Sequence, residues 1–465
     1  MAQGPYGPWG MAPRAQSRRR HQTGDSDRIN RVITGPISRG AIIMSSGKAG
    51  RVGTLEGLRG VLALGILLYH VAFMTGVASF IDQPGHPFWG VLIDGLMILL
   101  PPFFVMSGMF LFRAHARNTV LGTKKPSTKS FLWGRALRIL PGYWVLVIVG
   151  LLTINFTAID GAGDILRPLT MLHFFWWEGQ PVIGLEHTWT VPAEFTFYLL
   201  MPILGWMAHR FARNGATPAQ RARRMLIPLA GFSLIGFGWI LLTNFPGFTA
   251  PSQLWFWPIY FFPVFAVGMA LAVLAAYAEV APRKPAIYRM VLKRPNLFWV
   301  VALALFAVYT WKPIGIPGMG DVPAMLQEFL GFFLGLAFAV LLVLPLSVPG
   351  ATSKFQERVL ANRPIRFAGK ISFGIYLWHV VIVEYWFANG SIFGVEAVHD
   401  IVFRGTTGFW PMLAFVLGFT VIAATLSYYL VERPAQRLRH RRTKAPVTPL
   451  SVTGDPSPQT DTRAA

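Results

Sequence analysis

The 465-residue chain contains no cysteine. Disulfides, thiolate nucleophiles and cysteine-ligated metals are therefore excluded, and any covalent chemistry has to use another side chain. Charge is scarce as well. Only 13% of residues are Asp, Glu, Lys or Arg, and acidic groups are outnumbered 20 to 42. In a soluble protein a net charge of +22 would point to nucleic acid, but here the basic residues have to be read by location, and no nucleic-acid partner is expected. The first 50 residues hold Gly, Pro, Ser and Arg and no long apolar run, which argues against a cleaved signal peptide and reads as a disordered tail. What the chain has in abundance is apolar surface: 53% hydrophobic residues, with 37 Phe and 16 Trp. That composition belongs to a polytopic membrane protein.

Ten apolar segments are long enough to span a bilayer: about 55–76, 88–112, 141–159, 188–207, 226–244, 255–279, 297–311, 325–348, 371–389 and 408–431. An even count puts both ends on one side. Basic residues test that arrangement, because the connectors 77–87, 160–187, 245–254, 312–324 and 390–407 hold only Arg167, Lys312 and Arg404, leaving 39 of the 42 Lys and Arg on the other side. Both termini are thereby expected in the cytoplasm of a multi-pass protein of the plasma (inner) membrane. The domain reading is a tail over 1–50, a membrane domain over 51–436 and a second disordered tail over 437–465.

Polar residues inside the spans are few: His70, Asp94, Glu194, Glu328, His379 and Glu384. Such residues are costly in lipid and usually face a cavity or a partner. The first span opens with Arg59 and carries His70 eleven positions later. At about 100° per residue the two share one helix face, and at about 1.5 Å per residue they lie roughly 16 Å apart, which sets His70 near the bilayer midplane. A midplane imidazole can serve chemistry or simply hydrogen-bond a neighbouring helix.

Four other stretches carry candidate chemistry. Pro102-Phe103-Phe104-Val105-Met106-Ser107-Gly108 offers either a hydroxyl to a cavity or a small-residue contact between helices. In Arg135-Ala136-Leu137-Arg138-Ile139-Leu140-Pro141-Gly142-Tyr143-Trp144, read as the cytoplasmic edge of the third span, the two arginines are neighbours on one face. They suit a phosphate clamp or a lipid-headgroup anchor. His187-Thr188-Trp189-Thr190-Val191-Pro192-Ala193-Glu194-Phe195 runs inward from the outer face and sets Glu194 roughly 10 Å deep, where it would orient an imidazole, accept a proton or pair structurally. Ser372, Tyr376 and His379 form one polar stripe at the start of the ninth span.

Taken in order from about Thr54 to Pro434, these motifs, with the closing Ser427-Tyr428-Tyr429 and Glu432-Arg433-Pro434, resemble the acyltransferase-3 family of integral membrane O-acyltransferases. The resemblance implies transfer of an acyl group, often acetyl, from cytoplasmic acyl-coenzyme A to a hydroxyl of a glycan or lipid. It implies His70 as the catalytic histidine and Arg59, Arg135 and Arg138 as functional arginines. Two departures stand out: a single acidic residue, Glu194, where many relatives have a pair, and Pro101-Pro102 before the Phe-Phe. Some relatives carry a further extracellular domain, and its absence here would have the acceptor met by the membrane domain directly or through a separate partner.

The expectation is an all-α protein of about ten transmembrane helices around a polar cavity. It would use acyl-coenzyme A as donor substrate, with no tightly bound cofactor and no metal. Arg59, Arg135, Arg138 and Ser107 would bind the donor. His70 would act as general base or as a transient acyl carrier, with Glu194 as its catalytic companion. The acceptor would be a carbohydrate or lipid-linked carbohydrate of the cell envelope, met among membrane lipids. A secondary transporter or lipid flippase would also show midplane ionisable groups and broken helices, but the chain has no internal repeat pairing its halves.

Overall fold

The computed structural model describes residues 36–78, 85–86, 88–175, 182–245, 248, 252–311, 324–388 and 408–441. The chain divides into residues 1–49 and 50–465; of the first unit only the start of a helix is described, and the membrane helices belong to the second. The expected tails fall mostly outside the described residues, as do Lys312 and Arg404.

Every regular element among the described residues is helical. Hydrocarbon demands this, since a backbone without water must satisfy its own N–H and C=O groups within each segment. The crossing helices are α1 (Pro36–Met74, its crossing part Gly53–Met74), α2 (Pro101–Leu121), α3 (Thr128–Thr153), α4 (Thr190–Ala212), α5 (Pro218–Thr243), α6 (Phe262–Ala278), α7 (Pro295–Trp311), α8 (Ala324–Ser347), α9 (Ser372–Ala388) and α10 (Phe409–Ser427). Eight pass a test of length and hydropathy by themselves or with short flanking turns. The other two, α7 and α9, each follow a short helix bent by 94° and 75°; with each bent pair counted as one span, the candidate spans among the described residues number ten. On the outer faces Leu234, Ile235, Val300 and Leu303 are exposed, as lipid-facing side chains must be.

Two elements differ from expectation in ways that shape the site. Helix α3 begins at Thr128 rather than near 141, so Arg135 and Arg138 stand seven and ten residues into it, about 10 and 15 Å along its axis. They are not at its edge. The following Tyr143 hydroxyl donates to the Pro168 carbonyl at 2.7 Å and the Trp144 indole N–H to that of Leu169 at 3.0 Å, so mid-α3 is tied to the 160–187 connector. The second span is broken: a short helix (Trp89–Asp94) and a 3-10 turn (Gly95–Leu99) precede α2, whose first residues are Pro101 and Pro102. Proline suits that place because it lacks an N–H that would be unpaired at a helix start.

Helices α2 and α6 meet backbone to backbone. A Cβ added at Gly268 would overlap the carbonyl of Val105, and one added at Gly108 would press on the carbonyl of Phe265. Small residues let helices approach this closely in lipid, where hydrophobicity gives no drive between them. The Ser-Gly pair therefore serves both of the roles open to it, Gly108 facing a helix and Ser107 facing a cavity.

Candidate active site

A cavity of about 280 Å³ opens among α1, α2, α3, α4 and α9. Arg59, Ser107, Arg135, Arg138 and Glu194 all line it, together with Tyr198, Ser372 and Tyr376. Five of the six residues expected to be catalytic or donor-binding thus share one space. Helical spacing sets them there: Arg135 and Arg138 are three apart on α3, and Glu194 and Tyr198 four apart on α4.

Within it Glu194 Oε1 accepts hydrogen bonds from the Ser107 hydroxyl and from the Tyr198 hydroxyl, each at 2.8 Å. The contacts of Glu194 are therefore hydroxyls rather than an imidazole. The guanidinium of Arg135 stands over the rings of Phe131 and Tyr198, 5.8 and 5.9 Å from their centroids. Arg59 lies within electrostatic reach of both Arg138 and Glu194. Glu432, buried near the end of the chain and accepting from Ser427 at 3.2 Å, feels Arg138 and Arg59 in turn. The charged side chains lining the cavity are three guanidinium groups and one carboxylate, which leaves excess positive charge for an anion, and the planar fork of arginine suits phosphate oxygens.

His70 does not line this cavity. It belongs to a cluster of three imidazoles: His70 and His379 have ring centroids 4.8 Å apart, His379 and His187 also 4.8 Å, and His70 and His187 6.4 Å. Their hydrogen bonds assign tautomers. His379 Nδ1 faces the Tyr376 carbonyl at 2.7 Å, so it carries the proton and Nε2 accepts. That nitrogen lies 3.2 Å from His70 Nδ1, which also faces the Ile66 carbonyl at 2.9 Å. Nδ1 of His70 is then the donor and Nε2 keeps its lone pair, the form a general base requires. His187 Nε2 faces the Leu377 carbonyl at 3.1 Å and donates to it. Among the described residues no group of three or more His, Asp or Glu side chains is arranged to hold a metal ion.

Tyr376 joins the two sites. It lines the arginine cavity, its ring lies 5.2 Å from that of His187, and its hydroxyl accepts from Thr190 at 2.6 Å while donating to the His187 carbonyl. One aromatic side chain separates three cations and a carboxylate from three imidazoles. His187 and Tyr198 were not singled out from the sequence. The four-residue spacing from Glu194 could have shown Tyr198, whereas His187 sits in a 3-10 turn (Glu186–Trp189) and has no helical period to reveal it.

Similarity to known proteins gives the family. The chain is 24% identical over 408 residues to a peptidoglycan O-acetyltransferase, OatA, of Listeria monocytogenes, covering 83% of this chain and 56% of the relative. It is 23% identical over 402 residues to the O-acetyltransferase OatA of Staphylococcus aureus, covering 82% and 57%. The chain thus spans a little over half the length of these relatives. No solved structure matches it. Residues 52–431 match the family described as acyltransferase domain, Acyl_transf_3, and with that match over most of its length the chain belongs to this family of membrane acyltransferases.

Proposed function

We propose that the chain moves an acyl group, acetyl by analogy with its relatives, from acyl-coenzyme A at the cytoplasmic face to a hydroxyl of a cell-wall glycan. The observation that carries the reading is the arginine cavity and the imidazole cluster set on either side of Tyr376. The phosphates of the donor lie against Arg138, Arg135 and Arg59, and its thioester is directed past Ser107 and Glu194. Nε2 of His70 takes the proton of the acceptor hydroxyl, whose oxygen attacks the thioester carbonyl. The coenzyme thiolate leaves and recovers the proton from the imidazolium, so the catalyst is restored. The Glu194 carboxylate, held by two hydroxyls, offsets the positive charge that forms on the imidazolium rather than the negative charge on the attacked carbonyl oxygen.

The direct test supplies labelled acetyl-coenzyme A to inside-out membrane vesicles containing the chain and counts label transferred to wall glycan. Transfer above vesicles without the chain is expected, and its absence with intact protein would defeat the reading. Donor binding has a sharper test. Arg138→Lys keeps the charge but loses the fork, and should raise the donor KM about tenfold, about 1.4 kcal/mol, with normal membrane insertion. A Lys variant with unchanged donor KM would make Arg138 a lipid anchor.

This chemistry needs both termini and residues 122–127 on the donor side. With no native cysteine, single cysteines can be placed at Thr123 and Thr170 in turn. Thr170 should react with a membrane-impermeant maleimide in intact cells and Thr123 only after permeabilisation. The reverse pattern would overturn the assigned sidedness.

A further inference from the structure

A second cavity, about 530 Å³, is not used by the steps above. Resting on the acyl-transfer reading, we propose that it is the acceptor subsite and holds an uncharged sugar ring of the glycan. Its chemistry is that of carbohydrate recognition. Among the described residues no cation lines it, which makes that lining unsuited to the phosphates of the donor. Eight aromatic rings share its walls with aliphatic side chains, and Glu328, Gln327 and the Tyr260 hydroxyl are polar groups among them. Sugar rings present C–H faces that lie on aromatic rings, and hydroxyl edges that donate to carboxylates and exchange hydrogen bonds with amides. An alkyl chain would offer the Glu328 carboxylate no donor, whereas a sugar hydroxyl would add one to that of Tyr260.

The aromatic surfaces are ordered against one another. Trp189 stacks on Phe261 with centroids 5.1 Å apart and planes at 27°, and tilts on Phe256 at 5.2 Å. Tyr260 meets Phe332 edge-on at 5.5 Å, and its hydroxyl donates to Glu328, which fixes the carboxylate. Trp255, exposed, stands at the cavity wall.

Position supports the same reading. Leu100 and Phe104 line both cavities, so the two spaces share a wall. Trp189 lines the aromatic cavity and its neighbour Thr190 the arginine cavity. Tyr309, another lining residue, lies within electrostatic reach of Tyr69, whose ring is 5.3 Å from that of His70. Under the proposed sidedness Trp189, Tyr260, Tyr309 and Glu328 belong to the outer ends of their spans, where the glycan is. The donor would thus meet the acceptor from the opposite side.

Two variants test the assignment, Trp255→Ala at the wall and Glu328→Gln inside. In vesicles with a soluble, uncharged N-acetylglucosamine disaccharide as acceptor, each should raise the acceptor KM about tenfold and leave the donor KM unchanged. Acceptor KM values equal to the parent in both variants would overturn the proposal. So would a change in preference among acetyl-, butyryl- and octanoyl-coenzyme A at constant acceptor KM, which would make the cavity an acyl-chain pocket. Binding separates this proposal from the functional reading. With the purified full chain in nanodiscs, saturation-transfer NMR should show the disaccharide's ring protons in contact with the parent and a signal several-fold weaker with Trp255→Ala. That result without any acyl transfer would retain the sugar site and defeat the acyl-transfer reading. Equal signals from both proteins would defeat the site alone.

Discussion

Replacing His70 by alanine should lower kcat for acyl transfer by about 10²–10⁴-fold, the range contributed by a positioned general base, while expression and membrane insertion stay near normal. The expectation rests on the tautomer forced by neighbours. Because His379 Nε2 and the Ile66 carbonyl both face His70 Nδ1, the lone pair of His70 is left on Nε2. Alanine removes that base but leaves the arginine cavity, so the donor KM should change little. Steady-state rates on purified protein, with donor and acceptor varied separately, give the measurement. Retention of most of kcat would remove His70 as base and as acyl carrier together.

Gly268→Leu should be the most damaging single change outside the polar sites. A Cβ there overlaps the carbonyl of Val105, a backbone atom that cannot swing aside, and the added branch enlarges the conflict. Overpacking of this kind costs about 1–3 kcal/mol and more where backbone must move. Moving α2 away from α6 would also carry Ser107 off Glu194, since Ser107 adjoins the contact at Gly108. We expect a lower melting temperature in detergent and loss of activity in the same variant, with Gly268→Ala intermediate in both. A Leu variant that melts with the parent protein would show that α2 and α6 are not in backbone contact.

The ten spans were legible in the sequence because hydropathy at bilayer length is a strong local signal, and because breaks such as Pro101-Pro102 lie where helices restart. The stripe of Ser372, Tyr376 and His379 was legible for the same kind of reason, since residues three and four apart share a face. The start of α3 was not. Residues 128–140 carry Lys129, Arg135 and Arg138, and a hydropathy reading stops at charges that a cavity accommodates. The imidazole cluster was only half legible: His70 and His379 are 309 residues apart, and no period links residues on different helices. The aromatic cavity left no local trace, being built from helix ends and 3-10 turns that each contribute one or two rings.

The short run from His187 to Glu194 contributes to every compartment described. His187 belongs to the imidazole cluster, Trp189 to the aromatic cavity, and Thr190, Val191 and Glu194 to the arginine cavity. Each added residue in a helix rotates the rest of that helix by about 100°. A single insertion or deletion here would therefore aim all of these groups at the wrong neighbours at once, although a helix start near a membrane surface is ordinarily where length changes are tolerated. In homologous chains this run should keep its length while the connector before it varies.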